Sequence, residues 1–324
     1  MINIVASEEE THQRAKSLLT SQVPRFLSRI GGSDTDALMS YWKDPSNEGS
    51  FDYFLNRVKE YNGFYAIEGD QKTQYINYLN TLRECYQQSD ELFVTNWTLL
   101  SAYYPQRIGY KLRPEDAQYL TEYREFIDTL FSERDGPYLH AYDFIERIVS
   151  NKFTLFNLLS ELLPGKKVLV ISPFSQTSVE QQSRKHKFFK NYTYPEFDLV
   201  TYDTPITYAG LPQEMYPDKS WQATVDRMNS EISAIDFDIA LLSCGSYAMP
   251  LGIHIRDVCG KHAVYVGGCL QLFLGIMGRR WSGLPFFMDQ MNPENFVTPA
   301  EGKKFHGIVT VDENTQADAF GAYF

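Results

Sequence analysis

The runs KKVLVISPF (166–174), SVEQQSRKHKFFKN (178–191), DLVTYD (198–203), SWQATVDRMNSEISAI (220–235) and DFDIALLSCG (236–245) alternate short β-branched segments with polar helical ones. MPLGIHIRDVCG (249–260), HAVYVGG (262–268) and CLQLFLGIM (269–277) continue the pattern. Strands that alternate with helices pair in parallel through right-handed crossovers, and helices then cover both faces of the sheet. Residues 165–281 are therefore expected to form an α/β unit, a Rossmann-like, mostly parallel sheet flanked by helices.

Working outward, VPRFLSRIGG (23–32) reads as a strand entering a glycine turn, and SDTDALMSYW (33–42) as the helix after it, capped by Ser33 or Asp34. Residues 51–86 are helical and polar, ELFVTNW (91–97) suits another strand, and LRPEDAQYLTEYREFIDTLF (112–131) is an amphipathic helix beginning near Pro114. The N-terminal half, 1–164, thus adds an acidic glycine turn and extra helices. Residues 282–324 form a C-terminal tail with a further strand expected at HGIVTVD (306–312). No Pro-, Gly- or Ser-rich linker divides the chain, which favours one composite domain over 1–324.

Composition narrows the function. The 324 residues are 43% hydrophobic and 22% charged, a globular balance, and 30 Lys plus Arg against 41 Asp plus Glu give a net charge of −11. No basic field exists to hold a phosphate backbone, so nucleic acid is not an expected partner. The start MINIVASEEETHQR has no basic segment leading into an apolar one, and no apolar run is long enough to cross a bilayer. A cytoplasmic protein without a transmembrane segment is expected. The four cysteines lack a C-x-x-C pair, so neither disulfides nor zinc are expected, and the sequons at Asn96 and Asn191 carry no weight inside a cell. The 15% aromatic content, with 22 Tyr and 22 Phe, suits an aromatic core or stacking on sugars and bases.

In open parallel sheets, ligands bind outside the carboxyl ends of the strands. Asp34 and Asp36 follow a strand, whereas Asp236 and Asp238 precede theirs and are discounted. Two carboxylates two residues apart in a turn can share a divalent ion on a diphosphate; alternatively Asp34 caps a helix and Asp36 complements its dipole. Gly267 and Gly268 end a strand and open a helix, where free amides suit a phosphate, although a tight turn needs glycine equally. Ser172, Asp203 and the segment from Gly245 to Tyr247 lie at other strand ends. Arg279, Arg280 and Trp281 read as a diphosphate clamp with an aromatic platform, or as a helix end that complements the dipole. His254 and His262 are expected to be structural. The G-x-G-x-x-G, P-loop and G-x-S-x-G fingerprints are missing, which disfavours a dehydrogenase, a P-loop NTPase and a serine hydrolase.

The run DFDIALLSCGSYAMPLGIHIRDVCGKHAVYVGGCLQLFLGIMGRRW (236–281) resembles a signature of bacterial and viral proteins associated with surface polysaccharide. In that signature a glycine-tyrosine loop, a strand ending GG, Q-x-x-F-G-I and G-x-R-W follow in order. VLVISPFSQTSVEQQ, SRIGGSDTDAL, NPENFVTP and the terminal GAYF extend the likeness over nearly the whole length. The group resembles the GT-D glycosyltransferases, which have a Rossmann-like fold and an Asp-x-Glu motif in the first glycine turn that serves nucleotide-sugar and metal binding. The resemblance places the turn motif on Arg29, Gly31, Gly32 and Asp34. The first acid of Asp-x-Glu falls on Gly32, the Glu position holds Asp34, and Asp36 offers a second carboxylate one register later. Q-L-F-L-G-I shifts the aromatic by one place and keeps Gln271 and Gly275.

The resemblance implies a glycosyltransferase that moves a sugar from a nucleotide-diphosphate donor, a UDP- or GDP-sugar, to a glycan acceptor in surface polysaccharide or glycoprotein glycan synthesis. Asp34 and Asp36 would hold Mg²⁺ or Mn²⁺ and serve catalysis. Arg29, Gly31, Gly32, Ser172, Gly245, Tyr247, Gly267, Gly268, Gln271 and Arg280 would bind the donor. The alternative is a non-catalytic nucleotide-binding module of a polysaccharide assembly complex; a methyltransferase ranks last, because SPFSQTS is not a glycine-rich first loop.

Overall fold

A computed structural model describes residues 4–5, 7–94, 114–130, 139–141, 152–207, 211–282 and 289–305. Its centre is an eight-stranded sheet in the order β1-β4-β3-β2-β8-β7-β5-β6. The strands are β1 (Ile4–Val5), β2 (Phe26–Ile30), β3 (Glu91–Val94), β4 (Leu139–Ala141), β5 (Lys167–Ser172), β6 (Asp198–Asp203), β7 (Ile239–Leu242) and β8 (His262–Tyr265). Every pairing between them is parallel. The chain is therefore an α/β protein whose sheet runs without a break through both halves of the sequence. The short strands β1 and β4 add an edge that the hydrophobic pattern does not announce.

Strand burial follows position. The β7 segment IALL is buried throughout and β5 is buried from Val168 onward, as a strand covered on both faces must be. The edge strand β6, DLVTYD, is half-exposed along its length. One core packs α2 (Gly32–Lys43), α3 (Glu48–Tyr61), α4 (Gln71–Gln88), α5 (Pro114–Leu130), α8 (Trp221–Ser233) and α9 (Ala248–Asp257) on the first face. The second face carries α1 (Glu8–Leu19), α6 (Leu155–Leu162) and α10 (Cys269–Phe273) with the aromatics Phe188, Phe189 and Tyr194. Strand residues alternate between the cores: Phe26 joins the first and Leu27 the second.

Several local expectations change. The polar helix at 178–191 is shorter: α7 (Ser175–Gln181) passes into a 3₁₀ segment, Gln182–Lys187, whose residues are not buried and so give a longer helix nothing to pack. Neither Ser33 nor Asp34 caps α2; Gly31 does, without a side-chain hydrogen bond. In contrast, Ser7, Asn47, Asp70, Thr154 and Ser220 each accept a backbone N–H at the starts of α1, α3, α4, α6 and α8. The strand expected at 306–312, the terminal GAYF and Asn96 lie outside the described residues.

Candidate functional site

Because all strands run the same way, their carboxyl ends share one edge of the sheet. The neighbours β2 and β8 diverge there. After β2 the chain turns to the first face, where Ala37, Leu38 and Met39 of α2 are buried. After β8 it turns to the second, where Cys269, Leu270 and Leu272 of α10 are buried. Chains leaving adjacent parallel strands to opposite faces open a crevice between them.

Arg29 of β2 fills the seam. Its guanidinium carbon lies 5.1 Å from the centre of the Tyr265 ring, a cation–π contact. Gly267 has φ +70°, a conformation that favours glycine, and a Cβ built there would push aside the Arg29 guanidinium, the mobile end of that side chain. The Tyr265 hydroxyl donates to the Gly245 carbonyl at 3.1 Å, which ties the end of β7 to that of β8. Ser246 N–H donates to the Asn62 carbonyl at 3.3 Å. The Asn62 amide in turn donates to Asp34 Oδ1. Asp34, Asn62, the loop after β7, Tyr265 and Arg29 thus form one chain of contacts around the crevice, and Arg29 closes it by electrostatic attraction to Asp34.

Asp34 lies within the first turn of α2 and is only 4% exposed. Burial raises its pKa to about 6, against the opposing effects of the Tyr78 and Asn62 hydrogen bonds and the Arg29 charge. Tyr78 donates to the same Oδ1 at 2.6 Å. The other oxygen faces the bend, since a Cβ on Gly31 would be 3.0 Å from Asp34 Oδ2. Gly32 is exposed and opens onto empty space.

Asp36 does not join Asp34. Two residues apart on a helix, the pair is separated by about 200° around the axis. Asp36 instead accepts the Tyr119 hydroxyl of α5 at 2.8 Å, and burial raises its pKa. The two carboxylates therefore do not fit one shared divalent ion, and no group of three or more His, Cys, Asp or Glu with metal-binding geometry occurs among the described residues.

Other expected positions have different surroundings. Tyr247 is a core residue: its ring stacks on Trp221 at 6.0 Å and its hydroxyl meets Thr207 at 2.8 Å. Ser172 ends β5 with its hydroxyl turned into its own loop, accepting Phe174 N–H at 3.3 Å. Gln271 is buried in α10, where its backbone N–H meets the carbonyl of Gly268, the N-cap. Trp281 is 2% exposed in the second core and so is not an open aromatic platform. Arg280 belongs to the short helix α11 (Arg279–Ser282), and its side chain lies outside the described residues. Asp236 and Asp238 sit at the amino end of β7, where Asp236 pairs with the Lys167 ammonium and Asp238 accepts Lys167 N–H at 2.8 Å. His262 is held between Arg25 N–H and the Ser21 carbonyl, each at 3.1 Å. Sequence reasoning missed Asn62, Tyr78 and Tyr265. Tyr265 had a usable signal as the last strand residue before the double glycine, and Tyr75, Tyr78 and Tyr86 recur at helical spacing on α4.

No protein-family model and no curated protein matches the chain. Three solved structures are similar over most of both chains. A glycosyltransferase (DUF1792) from Streptococcus sanguinis is 12% identical, with 83% of this chain and 82% of that chain covered and a TM-score of 0.42. A selenomethionine-substituted domain of unknown function 1792 is 13% identical, with 81% and 83% covered and a TM-score of 0.41. A third, described as a highly conserved domain of unknown function 1792 with a distinct glycosyltransferase fold, is 13% identical, with 81% and 83% covered and a TM-score of 0.37. At these values the likenesses assign no role to any residue of this chain. No described helix is long and apolar enough to cross a membrane.

Proposed function

We propose that the crevice binds a nucleotide-diphosphate sugar and that the protein transfers the sugar to a glycan acceptor. One observation carries this reading: the Arg29 guanidinium is set between the Tyr265 ring and the bare backbone of Gly267, beside Asp34, where β2 and β8 diverge. A guanidinium forks onto diphosphate oxygens, and the missing side chain at Gly267 leaves the room in which Arg29 is held. The start of α2 has no side-chain cap, so its first amides and the positive end of its dipole suit the same phosphates.

In the proposed step the acceptor hydroxyl oxygen bonds to the anomeric carbon while the bond from that carbon to the diphosphate oxygen breaks. Arg29 and the α2 amides take up the charge that develops on the nucleoside diphosphate. Asp34 Oδ2 receives the hydroxyl proton; a carboxylate with a pKa of about 6 is matched to that task near neutral pH. The carboxylate pair does not fit one ion, since Asp36 is turned to Tyr119. The second reading, a non-catalytic nucleotide-binding module, is favoured by the 4% exposure of Asp34.

The test is a panel of UDP-, GDP- and other nucleotide-sugars with acceptor glycans, with and without Mn²⁺. The expected result is donor hydrolysis or transfer that falls at least a hundredfold in Arg29→Ala. Nucleotide binding without turnover supports the module instead. No turnover and no nucleotide-induced thermal shift in any condition overturns both.

A further inference from the structure

We propose that a groove in the outer helical layer, separate from the crevice and independent of the sugar-transfer reading, binds a single-chain anionic amphiphile. The groove lies between α2, α4 and α5 and encloses about 230 Å³. Its floor is made by Leu38, Leu79, Phe126 and Leu130, all buried. Trp42 forms one wall, 44% exposed, with its ring edge-on to Phe126 at 5.9 Å. Trp42 carries the apolar lining from the buried floor out to solvent.

Charge selects the occupant. Arg83, exposed at the rim, is the one charged residue in the lining, and no ion pair or hydrogen bond holds its guanidinium among the described residues. The nearest cation on α2, Lys43, is paired with Glu122 of α5 at 2.7 Å and adds no free charge. In a chain of net charge −11, an apolar trough with a lone cation and no carboxylate in its lining is complementary to a phosphate or carboxylate that carries an apolar chain. A sugar fits less well. Its hydroxyls need partners on every edge, and beside Arg83 the lining offers polar side chains only from Tyr41, Asn80 and Thr129, with none from the four floor residues. A bare inorganic anion would leave the floor unused.

The experiment is calorimetric titration of the purified protein with hexyl, octyl and decyl phosphate below their micellar concentrations, beside inorganic phosphate and octyl glucoside. One saturable site is expected, tightening about fourfold for each methylene that enters the groove until it is full. Arg83→Gln and Trp42→Ala, both at exposed positions, are each expected to weaken octyl phosphate at least tenfold. Equal binding of octyl glucoside removes the role of charge, and equal binding of inorganic phosphate removes the role of the floor; either result overturns the proposal. So does binding unchanged in Arg83→Gln, an absence of saturable binding, or a dimer in sedimentation that Trp42→Ala dissociates, which would make a second copy the occupant. Because the readout is binding alone, failure here leaves sugar transfer untouched, and failed transfer leaves this site untouched.

Discussion

Arg29 and Gly267 touch across the two central strands: the Arg29 Nη1 atom occupies the space that any side chain at 267 would need. A residue near the start of the chain is thereby set by one near its end, and this contact holds the crevice in shape. Gly267→Ala places a methyl group 1.8 Å from Nη1 and forces alanine to φ +70°. The expected cost is about 1–3 kcal/mol in urea unfolding, together with loss of the proposed nucleotide binding as Arg29 is displaced. Gly32→Ala is the contrast, since its Cβ meets nothing within 4 Å. It should be neutral or stabilising by up to about 1 kcal/mol, because alanine is the better helix former.

Asp34 makes stability depend on pH with a defined sign. Its folded pKa, about 6, lies above the ordinary 3.8, so between those values the native state holds more proton than the unfolded chain. Stability contributed by the neutral carboxyl is full below about 4 and is lost as pH rises through 6. The penalty above that is about 3 kcal/mol by linkage. Asp34→Asn keeps an acceptor for Tyr78 and Asn62 and removes the charge. It should be more stable than the parent by about 1–3 kcal/mol at pH 7.5 and indistinguishable near pH 4. A difference that does not vary with pH would contradict ionisation of Asp34 in the fold.

Tyr78 and Asn62 lower the Asp34 pKa against the larger effect of burial. Tyr78→Phe removes one donor from the ionised carboxylate, so its titration, followed by the carboxyl carbon resonance, should move above 6. The alkaline shift of any acid limb in the activity profile should match it. A shift downward would mean that another group has replaced the hydroxyl.

Trp281 separates two roles that a cationic helix end followed by an indole leaves open. Buried at 2% exposure in the second core, it should cost about 3–5 kcal/mol on truncation to alanine. A stacking platform in open solvent would instead lose ligand affinity with little change in stability. Urea melts and nucleotide titrations of Trp281→Ala distinguish these outcomes.

Hydrophobic periodicity and glycine punctuation were sufficient to read β2, β3, β5, β6, β7 and β8 and to place α5 at Pro114, because a period of two or 3.6 residues is written in neighbouring positions. The two-residue strand β1 and the three-residue β4 were not readable, being too short to show a period. The rule that ligands gather at strand carboxyl ends directed attention to Asp34, Gly245 and Gly267, the family resemblance added Arg29, and these four do meet around the crevice. It could not tell that Asp36 turns to Tyr119 or that Tyr247 and Trp281 turn inward.

The linear chain thus settles what each segment is, a strand, a helix or a turn that needs glycine, since those states follow from local sterics and from which residues avoid water. Which segments become neighbours is settled in three dimensions. Arg29 meets residues more than two hundred positions away, and Asp34 is answered by Asn62 and Tyr78 from two different stretches. Such pairings depend on strand order and helix packing, which are properties of the whole core, and no pattern within a single segment records them.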